Sequence, residues 1–324
     1  MTSLRYAIIG TGAIGGYFGS KLQQAGCDVH FLLRSDYDHV KVHGLKIESV
    51  DGDFELPTVQ AYDQASNMPP VDVAIVALKT TTNPQVSKLF PPLKSSGTVL
   101  CLQNGLGVEG AISRQLKDAN GFTPAIIGGL CFICAVKSGP GQIHHIDYGQ
   151  LMLGAHQNAQ QRCEPTVLMK AIAADFDKAN VSVKLTDDLP MERWRKLVWN
   201  VPYNGLSVVL NATTEEMMAD DGVRSLITIL MKEVVAIANA WGEYTSPGTK
   251  RNLPIDIVEN MLVHTDAMAP YRTSMKVDYD EKRPLEIQAI LTRPLKEAQS
   301  LGISVPAMTM LHHQLAFLTQ GLRQ

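Results

Sequence analysis

The chain has 324 residues, 45% of them hydrophobic, and 29 basic residues set against 32 acidic ones leave a formal charge of −3. That is enough apolar chain for two domains with separate cores, while scattered basic residues provide no electrostatic footprint for nucleic acid or an anionic membrane. No run approaches the ~20 apolar residues of a membrane helix, Met1 to Tyr6 leads into a strand without a signal-peptide pattern, and five cysteines form no disulfide framework, so a cytoplasmic location is expected.

Apolar runs bounded by turn residues recur through the first half: Tyr6 to Ile9, Val29 to Leu33, Val71 to Ala77, Val99 to Leu102 and Ala125 to Leu130. Most are separated by helix-like segments, and that alternation predicts a doubly wound α/β sheet, parallel and covered on both faces. The first run leads into Gly10-Thr-Gly-Ala-Ile-Gly15, a GxGxxG pattern that opens a helix-like stretch to Ala25 before the next strand. This strand–turn–helix context is the one a dinucleotide fingerprint requires. Gly10 permits the tight turn, Gly12 lets the backbone approach a pyrophosphate, and Gly15 allows close packing of helix on sheet. The first helical residues, Ala13 and Ile14 with Gly15, offer N–H groups to phosphate.

After the second strand the chain reads Leu33-Arg34-Ser35. An acid at that point would bind ribose hydroxyls; a guanidinium suits a 2′-phosphate, so Arg34 predicts NADP (NADPH) over NAD, with Asp36 the one nearby contrary residue. Ligands of such sheets bind beyond the carboxyl ends of strands, where Leu78-Lys79-Thr80 and Gln103-Asn104-Gly105 fall. Lys79 is suited to phosphate or ribose and Asn104 to the nicotinamide end; each also reads as a polar loop residue, and Asn-Gly is an ordinary turn dipeptide.

Cys131 and Cys134 spell CxxC within a strand-like run, where residues three apart face opposite ways. No second CxxC or His pair at finger spacing accompanies them, and His144-His145 and His312-His313 sit in no HExxH-like pattern, so no metal is expected. Ser138-Gly-Pro-Gly141 joins Cys131 to Lys137 with Gln142 to Ile146, a hairpin expected as an antiparallel edge of the sheet. Pro165 to Asn180 has helical periodicity, and Val181 to Leu185 resembles a last strand.

From Pro190 onward the pattern is almost wholly helical, including Ser225 to Trp241, Pro284 to Leu301 and Met308 to Leu322. The regimes change at Thr186 to Asp188, which predicts a cofactor domain over 1–187 and an all-α domain over 188–324. Within the second, Lys196, Asn200 and Asn204 stand at intervals of four. Four residues advance a helix only about 40° beyond a full turn, so one face would carry an ammonium and two amides. That set can grip and protonate a polar substrate; the plain alternative is a solvated first turn at Arg193, Arg195 and Lys196 with an ordinary helix end at Asn204-Gly205. Pro202 cannot donate to the carbonyl of Val198 and is expected to bend or open the helix there.

Taken together, these segments resemble the ketopantoate reductase (2-dehydropantoate 2-reductase) family over nearly the full chain. The resemblance rests on the Gly10 to Gly15 fingerprint, Arg34-Ser-Asp, Leu78-Lys79, Gln103-Asn104-Gly105, Gly139-Pro-Gly141 with His144 beyond, Lys196-Leu-Val-Trp-Asn200, Ser274-Met275 and Glu286, in family order. It implies a Rossmann domain followed by a helical one, with substrate held between them. It further implies Lys196 as general acid, Asn200 and Asn204 on the substrate's oxygens, Ser274 on its carboxylate, and Glu286 on its hydroxyl and the lysine environment. A lysine, with a reference pKa of about 10.4, stays protonated at neutral pH, and an ammonium both stabilises a developing alkoxide and supplies its proton. Glu286 also reads as a solvated helix residue.

The chain departs from the family at Gly205-Leu-Ser-Val208, where Pro-Leu-Thr-Ala is frequent, and at Ala269-Pro-Tyr-Arg272, which lacks an asparagine. The expected reaction is NADPH-dependent reduction of ketopantoate to pantoate, for pantothenate and coenzyme A synthesis. Its alternatives are reduction of another branched or hydroxylated 2-oxo acid, oxidation of a sugar acid or amino acid, and a non-catalytic NADP sensor. The expected partner is a small 2-oxo acid, without nucleic acid or membrane, and a homodimer stays compatible with the sequence.

Overall fold

In a computed structural model, which describes residues 4–121, 123–157 and 162–322, the chain forms two compact units. Among the described residues, the first takes the chain up to Gln103 and from Val108 to Leu189; the second takes Asn104–Gly107 and the chain from Pro190 onward.

Ten strands make the sheet of the first unit: β1 (Arg5–Ile9), β2 (Asp28–Leu32), β3 (Leu45–Ser49), β4 (Phe54–Leu56), β5 (Gln60–Tyr62), β6 (Val71–Val76), β7 (Leu93–Cys101), β8 (Ala125–Gly139), β9 (Gln142–His156) and β10 (Val183–Thr186). Their order is β4-β3-β9-β8-β7-β6-β1-β2-β5, with β10 added to β9. From β5 to β8 every pairing is parallel. Tyr6, Ala7, Ile8 and Ile9 are all fully buried, as a parallel strand covered on both faces requires. The chain runs from β1 to β2 on one side and returns to β6 on the other, so the carboxyl ends of β1 and β6 flank a topological switch point. Helices α1 (Ala13–Gln24), α2 (Tyr37–His43), α3 (Val108–Asn120) and α4 (Val167–Lys178) complete this unit. Thr166 caps α4, accepting from the Met169 N–H at 3.2 Å.

Three expectations change. The hairpin of β8 and β9 is not an edge: β3 pairs parallel with β9, and β4 extends the sheet beyond it. Between β6 and β7 stands a 3-10 run, Thr80–Leu89, and no α-helix; Pro84 removes a donor inside it, and three successive threonines disfavour the α conformation. Strands β3, β4 and β5 lie where no strand was expected.

The second unit holds α5 (Leu189–Val209), α6 (Thr214–Ala219), α7 (Asp221–Thr245), α8 (Ile257–Asp266), α9 (Ser274–Asp280), α10 (Arg293–Ser300) and α11 (Pro306–Leu318). The helix expected over Pro284 to Leu301 begins only at Ile287 and opens with a π-helical turn, Gln288–Thr292. The Arg293 N–H bonds back to the carbonyl of Gln288, five residues away, which releases the Ala289 carbonyl. The next residue, Pro294, has no N–H to hold an α register against that shift. Each unit has its own apolar core, around Phe18, Phe31 and Phe176 in the first and Trp194, Leu230 and Met308 in the second. No helix among the described residues is long and apolar enough to cross a membrane.

Candidate active site

At the end of β1 the fingerprint adopts the geometry its glycines permit. Gly10 has φ +99°, and a Cβ there would lie 2.8 Å from the Leu78 side chain that follows β6. A Cβ on Gly15 would sit 2.2 Å from the Gly10 carbonyl oxygen, so the turn closes directly against the first turn of α1. Gly12 differs: a Cβ there meets no protein atom within 4 Å. Open space at this one glycine fits a cofactor pyrophosphate approaching the backbone, where no side chain of the protein makes the demand. Gly12 is also the N-cap of α1 and supplies no side-chain cap, which leaves the N–H groups of Ala13, Ile14 and Gly15 to a ligand. The Thr11 hydroxyl donates to the Leu32 carbonyl at 2.9 Å and pins the turn to the end of β2. Farther along α1, a Cβ on Gly16 would lie 2.1 Å from Ile143, and one on Gly19 2.7 Å from Phe31.

Beyond β2, Arg34 is exposed and Asp36 is buried. The Asp36 carboxylate pairs with Lys137 at 2.5 Å and accepts from the Gly141 N–H at 3.1 Å and the Ser35 hydroxyl at 3.0 Å. Burial pushes its pKa up, but these three partners outweigh it, and the net shift is downward. The residue that argued against a 2′-phosphate is therefore committed to the β8–β9 turn. Lys79, half-buried, is the N-cap of the 3-10 run after β6. Gln103 is structural: its amide donates to the Leu78 carbonyl at 2.9 Å and to Asn83 Oδ1 at 2.7 Å.

In the second unit, Lys196, Asn200 and Asn204 do share a face of α5, which runs unbroken through Pro202. Lys196 is half-buried, and Asn200 and Asn204 are buried. The Lys196 ammonium donates to Asn104 Oδ1 at 2.9 Å. Spacing gave no sign of that partner, 92 residues away, and the bond occupies the oxygen of the amide expected at the nicotinamide end.

The Asn104 loop is held by the π-helical turn. The Leu106 N–H bonds the released Ala289 carbonyl at 2.9 Å, and Gly105, at φ +96°, lies where a Cβ would stand 2.5 Å from Ala289. Glu286 lies two residues before that turn and is 4% exposed, so it is not a solvated helix residue. Ser274, half-buried, opens α9. The departure at Gly205 has a packing reason, since a Cβ there would meet Leu311 of α11 at 2.6 Å. A cavity of about 270 Å³ beside α9, lined by Arg272, Lys276 and Asp280 among others, contains none of these residues.

All five cysteines are free, and burial raises the Cys134 thiol to about 12. His145 is enclosed by Ser49 and the carbonyls of Asp147 and Tyr148, while His144 is exposed. Among the described residues no three His, Cys, Asp or Glu side chains cluster to hold a metal.

A glycine fingerprint at the switch point of a parallel sheet, together with a lysine tethered on a polar helix face, defines a Rossmann-type oxidoreductase. Family models reach the same answer: residues 6–158 match the ketopantoate reductase PanE/ApbA model, and 188–319 match its C-terminal counterpart. The chain is 52% identical to a 2-dehydropantoate 2-reductase of Nostoc over 98% of its length and 96% of the relative's. A solved 2-dehydropantoate 2-reductase from Geobacter metallireducens superposes with TM-score 0.88 at 40% identity, covering 97% of this chain and 99% of that one. The enzyme of that name from Methylococcus capsulatus gives 0.83 at 28% identity, covering 99% and 98%. The chain belongs to the ketopantoate reductase family.

Proposed function

We propose that the protein reduces ketopantoate to pantoate, with residues 1–187 holding NADPH and residues 188–324 holding the substrate and its proton donor. The observation that carries this reading is the Lys196–Asn104 bond at 2.9 Å on the face that also bears Asn200 and Asn204. It fixes an ammonium among neutral amides, the arrangement a developing alkoxide needs.

NADPH, when bound, supplies the hydride that adds to the ketone carbon. Lys196 delivers its proton to the ketone oxygen, which becomes the new hydroxyl, and then regains a proton from water. Asn104 holds the ammonium in place before the reaction. Asn200 and Asn204 grip the substrate's oxygens, Ser274 donates to its carboxylate, and buried Glu286 accepts from its hydroxyl. Gly10, Gly12, Ala13, Ile14 and Gly15 take the pyrophosphate, Arg34 the 2′-phosphate, and Lys79 a phosphate or ribose oxygen. The substrate is the small-molecule partner, and the cytoplasm is the compartment that five free cysteines suit.

NADPH oxidation with ketopantoate tests the reading. Wild type turns over, and Lys196→Ala lowers kcat by roughly 10²- to 10⁴-fold, the usual contribution of a positioned acid. An unchanged rate removes Lys196 from the mechanism, and wild type inert toward ketopantoate ends the assignment.

A further inference from the structure

Beside the substrate-facing groups lies a buried hydroxyl pair with no role in the mechanism above. Ser207 and Thr273 are both fully buried, and their oxygens stand 2.8 Å apart. The Ser207 hydroxyl donates to the Asn204 carbonyl at 3.1 Å, and Thr273 Oγ1 accepts from the Lys276 N–H at 3.2 Å. A hydroxyl has one proton, so with that of Ser207 on the carbonyl, Thr273 must be the donor between the two. The result is a directed chain from the Lys276 amide through Thr273 and Ser207 to the backbone of Asn204, sealed from water that might substitute for any link.

A second tie runs beside it. Asn204 Oδ1 accepts from the Met275 N–H at 3.4 Å. This orients the amide, because only its oxygen can face an N–H, and the Asn204 NH₂ becomes the group presented as a donor. Ser274 stands between Thr273 and Met275, and both of these neighbours are bonded back to Asn204, one through Ser207 and one directly. The backbone of Ser274 is therefore held against Asn204 by bonds on either side of it.

We infer that Ser207 and Thr273 are positioning residues for substrate recognition, a buried hydroxyl pair that sets the register of Asn204 against Ser274. This rests on the ketopantoate reading of the site. Neither hydroxyl meets the substrate; each acts through the residue it holds. The pair governs how well the substrate's oxygens are gripped, and leaves proton delivery to Lys196 and Asn104 intact.

Steady-state kinetics of Ser207→Ala, Ser207→Cys and Ser207→Thr, alongside wild type, test it. Removal of the hydroxyl raises KM for ketopantoate roughly tenfold, the worth of one or two weakened hydrogen bonds, while kcat changes less than about threefold and KM for NADPH is unchanged. Ser207→Cys keeps the volume but is a poor donor, so it behaves like Ser207→Ala even if the alanine variant folds badly. Ser207→Thr restores the hydroxyl and a near wild-type KM. A folded Ser207→Cys with wild-type KM, or a loss confined to thermal stability, overturns the inference. Wild type inert toward ketopantoate would instead overturn the functional reading beneath it.

Discussion

In the proposed site, the choice of cofactor turns on two residues, Arg34 and Asp36. A carboxylate near the end of β2 would repel a 2′-phosphate and bind ribose hydroxyls instead. The sequence places Asp36 there, but the structure ties it to Lys137 and the Gly141 N–H, and leaves Arg34 and Ser35 exposed at that strand end. A guanidinium–phosphate pair contributes charge-assisted hydrogen bonds worth roughly 1.5–3 kcal/mol. Arg34→Ala is therefore expected to raise KM for NADPH by roughly 10- to 100-fold and leave KM for NADH nearly unchanged. Equal losses for the two cofactors would show that Arg34 touches something common to both. Asp36 was visible in the chain, yet its partners lie about 100 positions downstream, and no local pattern announces them.

At the scale of the element, the turn from β1 into α1 makes two glycines of one motif behave oppositely. Gly15→Ala forces a methyl to 2.2 Å from the Gly10 carbonyl, a backbone atom that cannot swing aside. Overpacking of this kind costs roughly 1–3 kcal/mol or more, so the variant melts lower with or without cofactor. Gly12→Ala meets nothing in the protein and should melt like wild type without cofactor while binding NADPH more weakly. Thermal melts and NADPH titration of the pair check this; a stability loss at Gly12 would contradict the open space found there.

Local motifs such as this turn and the spacing of four on α5 were legible because each is written within a short stretch of chain. Strands β3 to β5 were not: β4 and β5 have three residues each, too few to show a period, and the five residues of β3 are held by pairing with β9, almost 100 positions away, and with β4. The π-helical turn was equally hidden. It follows from the register lost at Pro294 and from the Leu106 N–H that takes the Ala289 carbonyl, a contact spanning more than 180 residues.

Over the whole molecule, two apolar clusters share no residue and lie one in each unit. Two separate cores allow the units to open with different free energies. The fold class was readable from the change of hydrophobic period near residue 188, because burial on both faces of a parallel sheet and on one stripe of a helix leaves different patterns. The Lys196–Asn104 bond was not readable, since it joins a loop after β7 to a helix that begins almost 90 residues later. This division makes cofactor stabilisation a test of which residues belong to which task. A ligand at 100 times its Kd stabilises the state it binds by about 2.7 kcal/mol. NADPH should therefore raise the melting transition of wild type and of Lys196→Ala equally, because the proposed mechanism gives the lysine to proton delivery and not to cofactor binding. In Arg34→Ala the same NADPH concentration should give a clearly smaller rise, and the melts without cofactor should coincide with wild type because Arg34 is exposed. If Lys196→Ala lost the NADPH-dependent rise as fully as Arg34→Ala, the lysine would be part of the cofactor site, and the separation of cofactor binding from proton delivery argued for this enzyme would fail.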